Sequence, residues 1–279
     1  DEANVRLLTE MFALGLFDDR TYNPPEEADR VVNTKEHWDK AYEAHKKSVT
    51  ILKNSNATLP LTPDKLEGKK VYVHAYHKDK ESVEHYRKQA REAVEELNAF
   101  TFTDQYEEAD IAILFLQPKS GSYFDATPGL LELEITEDKP LKALDGRPYQ
   151  ETTLSEIDHL NKVAENVRNR GGKVIISVNI ILPWILGNVE PLADALVVGY
   201  DTFYKAQLEV MLGRHKPSGV LPLTLPANEE VIAVDEDGHC VSPNDVPGYD
   251  KDNYIPEGMT YAYIDSDGNV YKLGHGLTY

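Results

Sequence analysis

One cysteine stands among 279 residues. Cys240 alone cannot close a disulfide within the chain, so no cross-linked scaffold holds this fold. It lies in a polar stretch, 235–244, and reads as a bystander thiol. Long apolar runs are missing too: none approaches the roughly 20 residues that cross a bilayer, so no membrane partner is expected. Glycine-rich phosphate loops are absent. Gly171-Gly172 precedes a strand instead of joining strand to helix, which argues against a nucleotide cradle. Cations are scarce: 29 Lys and Arg face 48 Asp and Glu, a net charge of −19. A field of that sign repels phosphate backbones, so nucleic acid is not expected and the charge serves solubility. The nine His form no HExxH motif and there is no CxxC, so no metal and no cofactor is expected. Asp265-Ser266-Asp267-Gly268-Asn269 looks like the start of a calcium loop, but it lacks the glutamate at the required spacing and reads as a turn. No GxSxG elbow supports a serine nucleophile.

What the chain does have is a 41% hydrophobic and 28% charged composition, suited to one large or two ordinary globular domains. Two short, almost wholly apolar runs, 174–178 and 195–198, lack alternation and are rich in Val and Ile. They read as strands buried on both faces. Residues 202–212 follow, with Phe203, Ala206, Leu208, Val210 and Leu212 near helical spacing, and Gly213, Pro217 and Gly219 as stop signals. Upstream, 48–54 and 70–77 alternate as strands and 109–116 is another buried strand. Helical spacing covers 4–16, where Val5, Leu8, Phe12 and Leu16 share a face, and also 34–47, 79–97 and 152–167. Thr152, Thr153 or Ser155 is expected to cap the last of these. The order predicts an α/β fold: a three-layer sandwich with a mostly parallel sheet flanked by helices, plus a loop-rich C-terminal region. That region holds a hairpin, 261–264 with 270–273.

Residues 117–150 break the rhythm. Gly121, Pro128, Gly129, Pro140, Gly146 and Pro148 interrupt any period, and the stretch is too long for an ordinary strand-to-helix loop. It leaves the carboxyl end of a central strand, where open α/β sheets place ligand sites. What it offers is carboxylates: Glu132, Glu134, Glu137 and Asp145, with Glu151 just beyond. Glu151 reads equally as a helix N-terminal carboxylate favoured by the macrodipole. Tyr123, Phe124 and Tyr149 are rings that suit a sugar face or ordinary packing. Trp184 and Asp201 follow strands at their carboxyl ends. Lys53-Asn54 is either a pair of substrate-side polar groups or a strand end turning into a loop.

Four phrases in chain order carry a resemblance. They are the helix 7–18, LLTEMFALGLFD; 47–61, with KSVTILKN and LPL; 217–224, PSGVLPLT; and the ending YKLGHGLTY. Together they resemble the second domain of family 3 glycoside hydrolases, β-glucosidase-like enzymes. The resemblance implies hydrolysis of a β-linked sugar with retention. The nucleophilic aspartate would sit on a barrel domain and the acid/base glutamate on the second domain. The sequence shows no eight-fold strand–helix barrel, so a missing N-terminal barrel is the expected partner and the chain alone is expected to be inactive. Arg147-Pro148-Tyr149-Gln150-Glu151-Thr152 resembles the family's acid/base phrase, which ranks Glu151 first and Glu132 and Glu134 second. The usual glycine and aspartate after that phrase are replaced by Thr153-Leu154-Ser155. Lys53, Asn54, Tyr149, Trp184 and Asp201 are the expected substrate-side residues, and a homo-oligomer is left open. The expected division is 1–33 as linker and helix from the barrel, 34–226 as the sandwich, and 227–279 as a C-terminal extension with short strands. The polar start, Asp1-Glu2-Ala3-Asn4, shows no signal peptide and points to the cytoplasm, although it reads as a truncated beginning. The other expectation is a non-catalytic carbohydrate-binding or interaction domain.

Overall fold

Apolar spacing sets the helices and strands of this chain, and polar partners set where several of them begin and end. The computed structural model describes residues 2–18, 25–32, 34–120, 132–143, 145–232, 258 and 260–279. The chain divides into two compact units, Asp1–Tyr42 and Glu43–Tyr279. The first holds helices α1 (Glu2–Ala13) and α2 (Pro25–Val31), and α3 (Lys35–Ser48) runs across the division. None of the residues of α1 is buried, although Val5, Leu8 and Phe12 share one face.

The second unit continues with β1 (Thr50–Asn54), α4 (Pro63–Leu66), β2 (Lys70–His77), α5 (Val83–Leu97), β3 (Thr101–Phe102) and β4 (Ile111–Gln117). It goes on through β5 (Lys139–Lys142), β6 (Pro148–Glu151), α6 (Ile157–Asn169), β7 (Lys173–Asn179), β8 (Ala195–Gly199) and α7 (Tyr204–Met211). Six strands form one sheet in the order β1-β8-β7-β4-β2-β3. All neighbours are parallel except β1, which runs antiparallel to β8 at the edge. The central strands are almost wholly apolar because both of their faces are covered. On one face Leu160, Val163 and Val167 of α6 pack on Leu114, Leu116, Ile176 and Val198. On the other, Ala90, Val94 and Leu97 of α5 and Leu208 and Met211 of α7 pack on Val73, Ile113, Phe115 and Val197. This is the expected three-layer sandwich. Each fully buried aliphatic side chain contributes about 1.5–3 kcal/mol, and these two cores supply most of the driving force. Among the described residues no helix is long and apolar enough to cross a membrane.

The expected helix over 152–167 is corrected by the structure: α6 starts only at Ile157. The preceding residues have other partners. Thr153 N and Oγ1 donate to Thr136 O and Glu134 O, and Ser155 Oγ donates to Lys78 O. The cap comes from afar, with Ile157 N donating to Glu137 Oε2 at 3.0 Å, so none of Thr152, Thr153 and Ser155 caps the helix. Within the aperiodic stretch, β5 and β6 pair antiparallel, with Lys139 opposite Glu151 and Leu141 opposite Tyr149. Residues 132–151 are therefore an arm with its own two-stranded ribbon.

At the C-terminus the expected hairpin is present as a bridge between Ile264 and Val270, with Tyr271 N donating to Tyr263 O. Asp265 Oδ1 accepts from Asp267 N and Asn269 N, which is a turn. Tyr123, Phe124 and Cys240 lie outside the described residues.

Candidate functional site

Lys119 N, two residues past β4, donates to Thr153 O, and Glu132 N donates to Ser120 Oγ, so the ends of the arm lie at the sheet's carboxyl edge. Glu132 is buried and both of its oxygens are used: Oε1 accepts Glu134 N at 2.7 Å and Oε2 pairs with Lys139 Nζ at 2.9 Å. Glu134 is bridged to Ile185 through its backbone. Its Oε2 meets Lys139 Nζ at 2.8 Å and its Oε1 accepts Asn188 Nδ2 at 2.8 Å. Burial works against ionisation there, but Lys139 and Asn188 hold the Glu134 carboxyl below the usual carboxylate range. Glu229 makes a third ion pair with the same lysine. Lys139 is thereby raised above the ordinary lysine range, three carboxylates outweighing the cost of burying its charge. Oxygens of Glu132, Glu134 and Glu229 come within 4.8 Å of one another, the spacing of a cation site, and the lysine ammonium already pairs with all three.

Glu151 differs. It ends β6, half-buried, and Lys78 Nζ holds its Oε1 at 2.7 Å. Its Oε2 has no hydrogen-bond partner among the described residues. Lys78 immediately follows β2, so the Lys78–Glu151 pair lies at the carboxyl edge of the sheet, where open α/β sheets bind ligands. Tyr149, on the same strand, is half-buried and raised in pKa by burial and then by Glu151 and Glu132.

The other expected substrate-side residues fall in two groups. Lys53, Asn54 and Trp184 face inward. Lys53 is 3% exposed and pairs with Glu190. Asn54 clamps the following loop, donating to Leu59 O at 3.0 Å and accepting Leu59 N at 2.8 Å. Trp184 has no exposed surface and its Nε1 donates to Asn179 O. A ring sealed in the core presents no face to a ligand, so Trp184 packs and is no platform. Asp201 is exposed at the tip of β8. It is fixed there by a reciprocal pair: Asn179 Nδ2 donates to its Oδ1 at 2.7 Å, and its own N–H donates to Asn179 Oδ1 at 2.8 Å. Its φ of 51° is left-handed, a strained value for a side-chain-bearing residue that Asp tolerates better than most.

Lys78, Lys139 and Asn179 were not legible as site residues. Lys78 meets Glu151 across 73 positions and Asn179 meets Asp201 across 22, so no local pattern marks them; Lys139 is five positions from Glu134, but its third carboxylate, Glu229, is 90 positions away.

The model of the glycosyl hydrolase family 3 C-terminal domain matches residues 49–279. The chain belongs to that family. Among curated relatives, β-glucosidase C of Emericella nidulans is 25% identical over 285 residues, spanning all of this chain and 36% of its own length. The probable β-glucosidase C of Aspergillus flavus is 27% identical over 98% of this chain and 34% of its own. The chain thus spans about a third of the length of the curated relatives it matches. In solved structures the fold recurs in a β-glucosidase from Listeria innocua in complex with glucose. That match has a TM-score of 0.57 and 18% identity, and covers all of this chain and 38% of that one. A β-glucosidase from Erythrobacter marinus gives a TM-score of 0.58 at 18% identity, covering 95% of this chain and 38% of that one. What these solved structures share with this family 3 domain is its fold.

Proposed function

We propose that this family 3 domain works as the second domain of a β-glucosidase-like glycosidase. It supplies the acid/base group and substrate-side contacts to a nucleophile borne by a barrel elsewhere in the same polypeptide. The carrying observation is Glu151: a carboxylate on an arm from the β4 tip, with one oxygen held by Lys78 and the other uncommitted. A retaining glycosidase needs a group that first protonates the leaving oxygen and then takes a proton from water, while a second carboxylate forms the covalent intermediate. Glu151 Oε2 suits the first task, and Lys78 fixes its direction. Glu132 and Glu134 serve it indirectly, since their shared lysine ties the arm to itself. Tyr149 and Asp201 are the remaining substrate-side residues. Residues 1–33 form the connection to the barrel, with the exposed face of α1 packing on it. The sandwich, 34–226, and the C-terminal extension, 227–279, form the domain proper. The Emericella nidulans and Aspergillus flavus relatives are a β-glucosidase and a probable β-glucosidase, which supports a β-linked glucoside as substrate.

The test is hydrolysis of an aryl β-glucoside by this chain and by the complete polypeptide. Activity only in the complete polypeptide is expected. Robust turnover by the isolated chain overturns the proposal, because a single carboxylate of this kind does not make a retaining site.

A second reading is favoured by one observation: Glu132, Glu134 and Glu151 are all paired to lysines. Under it the domain binds carbohydrate or a partner without catalysis. A complete polypeptide whose activity is untouched by Glu151→Gln supports that reading over the first.

A further inference from the structure

A two-stranded ribbon of four residues a side is marginal by itself in water, so β5 and β6 depend on what fastens them to the rest of the domain. The two faces of the ribbon differ. Lys139, Leu141, Tyr149 and Glu151 are half-buried, and Pro140, Lys142, Pro148 and Gln150 between them are exposed. Lys139 stands directly opposite Glu151, and directly opposed residues of an antiparallel pair share a face. Whatever fixes Lys139 therefore fixes the strand pair that presents Glu151.

Among the described residues, the ion pairs that fasten these two strands run through Lys78 to Glu151 and through Lys139. Lys139 Nζ is 2.9 Å from Glu132 Oε2 and 2.8 Å from Glu134 Oε2, both in the segment that leads into β5, and it also pairs with Glu229. Glu229 opens a short 3₁₀ turn, Glu229–Val231, at the start of the C-terminal extension. That turn is itself pinned: Val231 is buried and its N–H donates to Asn228 Oδ1 at 3.2 Å. One ammonium thus joins the lead-in, the ribbon and the extension. It does so without touching the Glu151 carboxylate, which keeps Lys78 on one oxygen and leaves the other open. We propose that Lys139 is a positioning residue for Glu151, locking the arm to the C-terminal extension through Glu229. This rests on the acid/base reading of Glu151.

Charge makes the lock strong in one direction only. Oxygens of Glu132, Glu134 and Glu229 lie within 4.8 Å of one another, and Glu132 is buried. Without the ammonium, like charges at that range repel and drive the lead-in and the extension apart. Loss of Glu132 alone leaves the lysine paired with Glu134 and Glu229, so the ribbon keeps its place. A general acid must lie within hydrogen-bond reach of the leaving oxygen, and a displacement of about 1 Å from a distant change costs about a hundred-fold in rate.

The test is steady-state hydrolysis of an aryl β-glucoside by the complete polypeptide carrying Lys139→Met, Lys139→Arg or Glu229→Gln, each also placed on a Glu151→Gln background. Lys139→Met strands a buried charge and lowers the yield of folded protein, so kcat is taken per folded molecule. Glu229→Gln, whose side chain is 58% exposed, cuts the tie to the extension without that burden. Lys139→Met should lower kcat about 10–100-fold with KM within about two-fold of the parent. Lys139→Arg keeps the charge and should restore kcat to within about five-fold. Glu229→Gln should cost about three-fold, as an exposed pair does. On the Glu151→Gln background none of the three should lower kcat further, because the lysine acts only through that carboxylate. Unchanged kcat in Lys139→Met or Glu229→Gln, or equal losses on both backgrounds, overturns the proposal. If Glu151→Gln itself retains full activity, the acid/base reading fails and this proposal falls with it. If Glu151→Gln is impaired and the lysine variants are not, only this proposal fails.

Discussion

Lys53 Nζ lies 2.5 Å from Glu190 Oε1, and the two side chains are only 4% and 2% exposed. Tyr263 Oη and Ser266 Oγ also donate to Glu190, so one buried carboxylate joins the edge strand β1 to the C-terminal hairpin. Removing one member of a buried pair strands the other charge, which costs about 3–5 kcal/mol. Lys53→Met should therefore lower stability by that order in urea unfolding. Lys53→Met combined with Glu190→Gln should recover part of it, because no uncompensated charge is left. A neutral outcome for Lys53→Met alone would return this lysine to the substrate side.

The candidate carboxylates separate by what occupies their oxygens. In the complete polypeptide, Glu151→Gln is expected to cut kcat about 10²–10⁴-fold with little change in stability, the range of a lost acid/base group. Glu132→Gln should do the reverse. Its two oxygens hold Glu134 N and Lys139, so the loss is about 1–3 kcal/mol of stability with kcat per folded molecule nearly intact. Comparison of kcat with urea midpoints for both variants decides between them. The opposite pattern would move the acid/base role to Glu132.

Most of the sheet was legible because its strands carry an unbroken apolar signal. Lys70–His77 falls where alternation placed it, and the 174–178 and 195–198 runs sit inside β7 and β8. The arm was not legible in detail. Its strands β5 and β6 are four residues each, with no buried position, so no period could form. Nor was the late start of α6: Leu154 and Ile157 fit a helical stripe, yet Leu154 is buried by the turn that Thr153 and Ser155 tie down. Within the site, residue types were readable and directions were not. Trp184 and Asp201 both follow strand ends. Whether a side chain turns into the core or out of it depends on partners such as Asn179, which the neighbouring sequence does not reveal.

His74 gives a pH dependence. It is largely buried on β2 among Tyr72, Tyr76 and His159, and its Nε2 has no partner among the described residues. Burial first, then Arg87, His159 and Arg91, push its pKa down to about 3. His159 is lowered as well, chiefly by burial. A depressed folded-state pKa means the unfolded chain binds the proton more readily. Stability is then full above the unfolded value near 6.5 and falls as pH drops towards 3. The slope approaches about 1.4 kcal/mol per pH unit for one group. Between about pH 7 and about pH 5, His74 alone should account for a loss of about 2 kcal/mol in urea unfolding. His74→Phe should flatten that dependence while keeping the ring packing. An equal loss in the variant would show that other groups carry it.

Gly219 and Gly276 explain why the 217–224 phrase and the C-terminal phrase meet at one place. A Cβ on Gly276 would lie 2.3 Å from Gly219 O, and a Cβ on Gly219 would lie 2.5 Å from Val49 O. Both obstacles are backbone, so no side-chain rotation relieves them. The two segments also exchange hydrogen bonds, Leu221 N donating to His275 O and Gly274 N to Leu221 O, while Leu277 N donates to Ile51 O on β1. Adding a methyl at Gly276 must push the C-terminal segment off the sheet edge. The expected cost is about 1–3 kcal/mol, as for other overpacking changes. Hydrogen exchange should show the loss locally, at the amides of Leu221, Gly274 and Leu277, while those of β4 and β7 keep their protection. Uniform loss across the sheet would mean that this edge is part of one cooperative unit with the core.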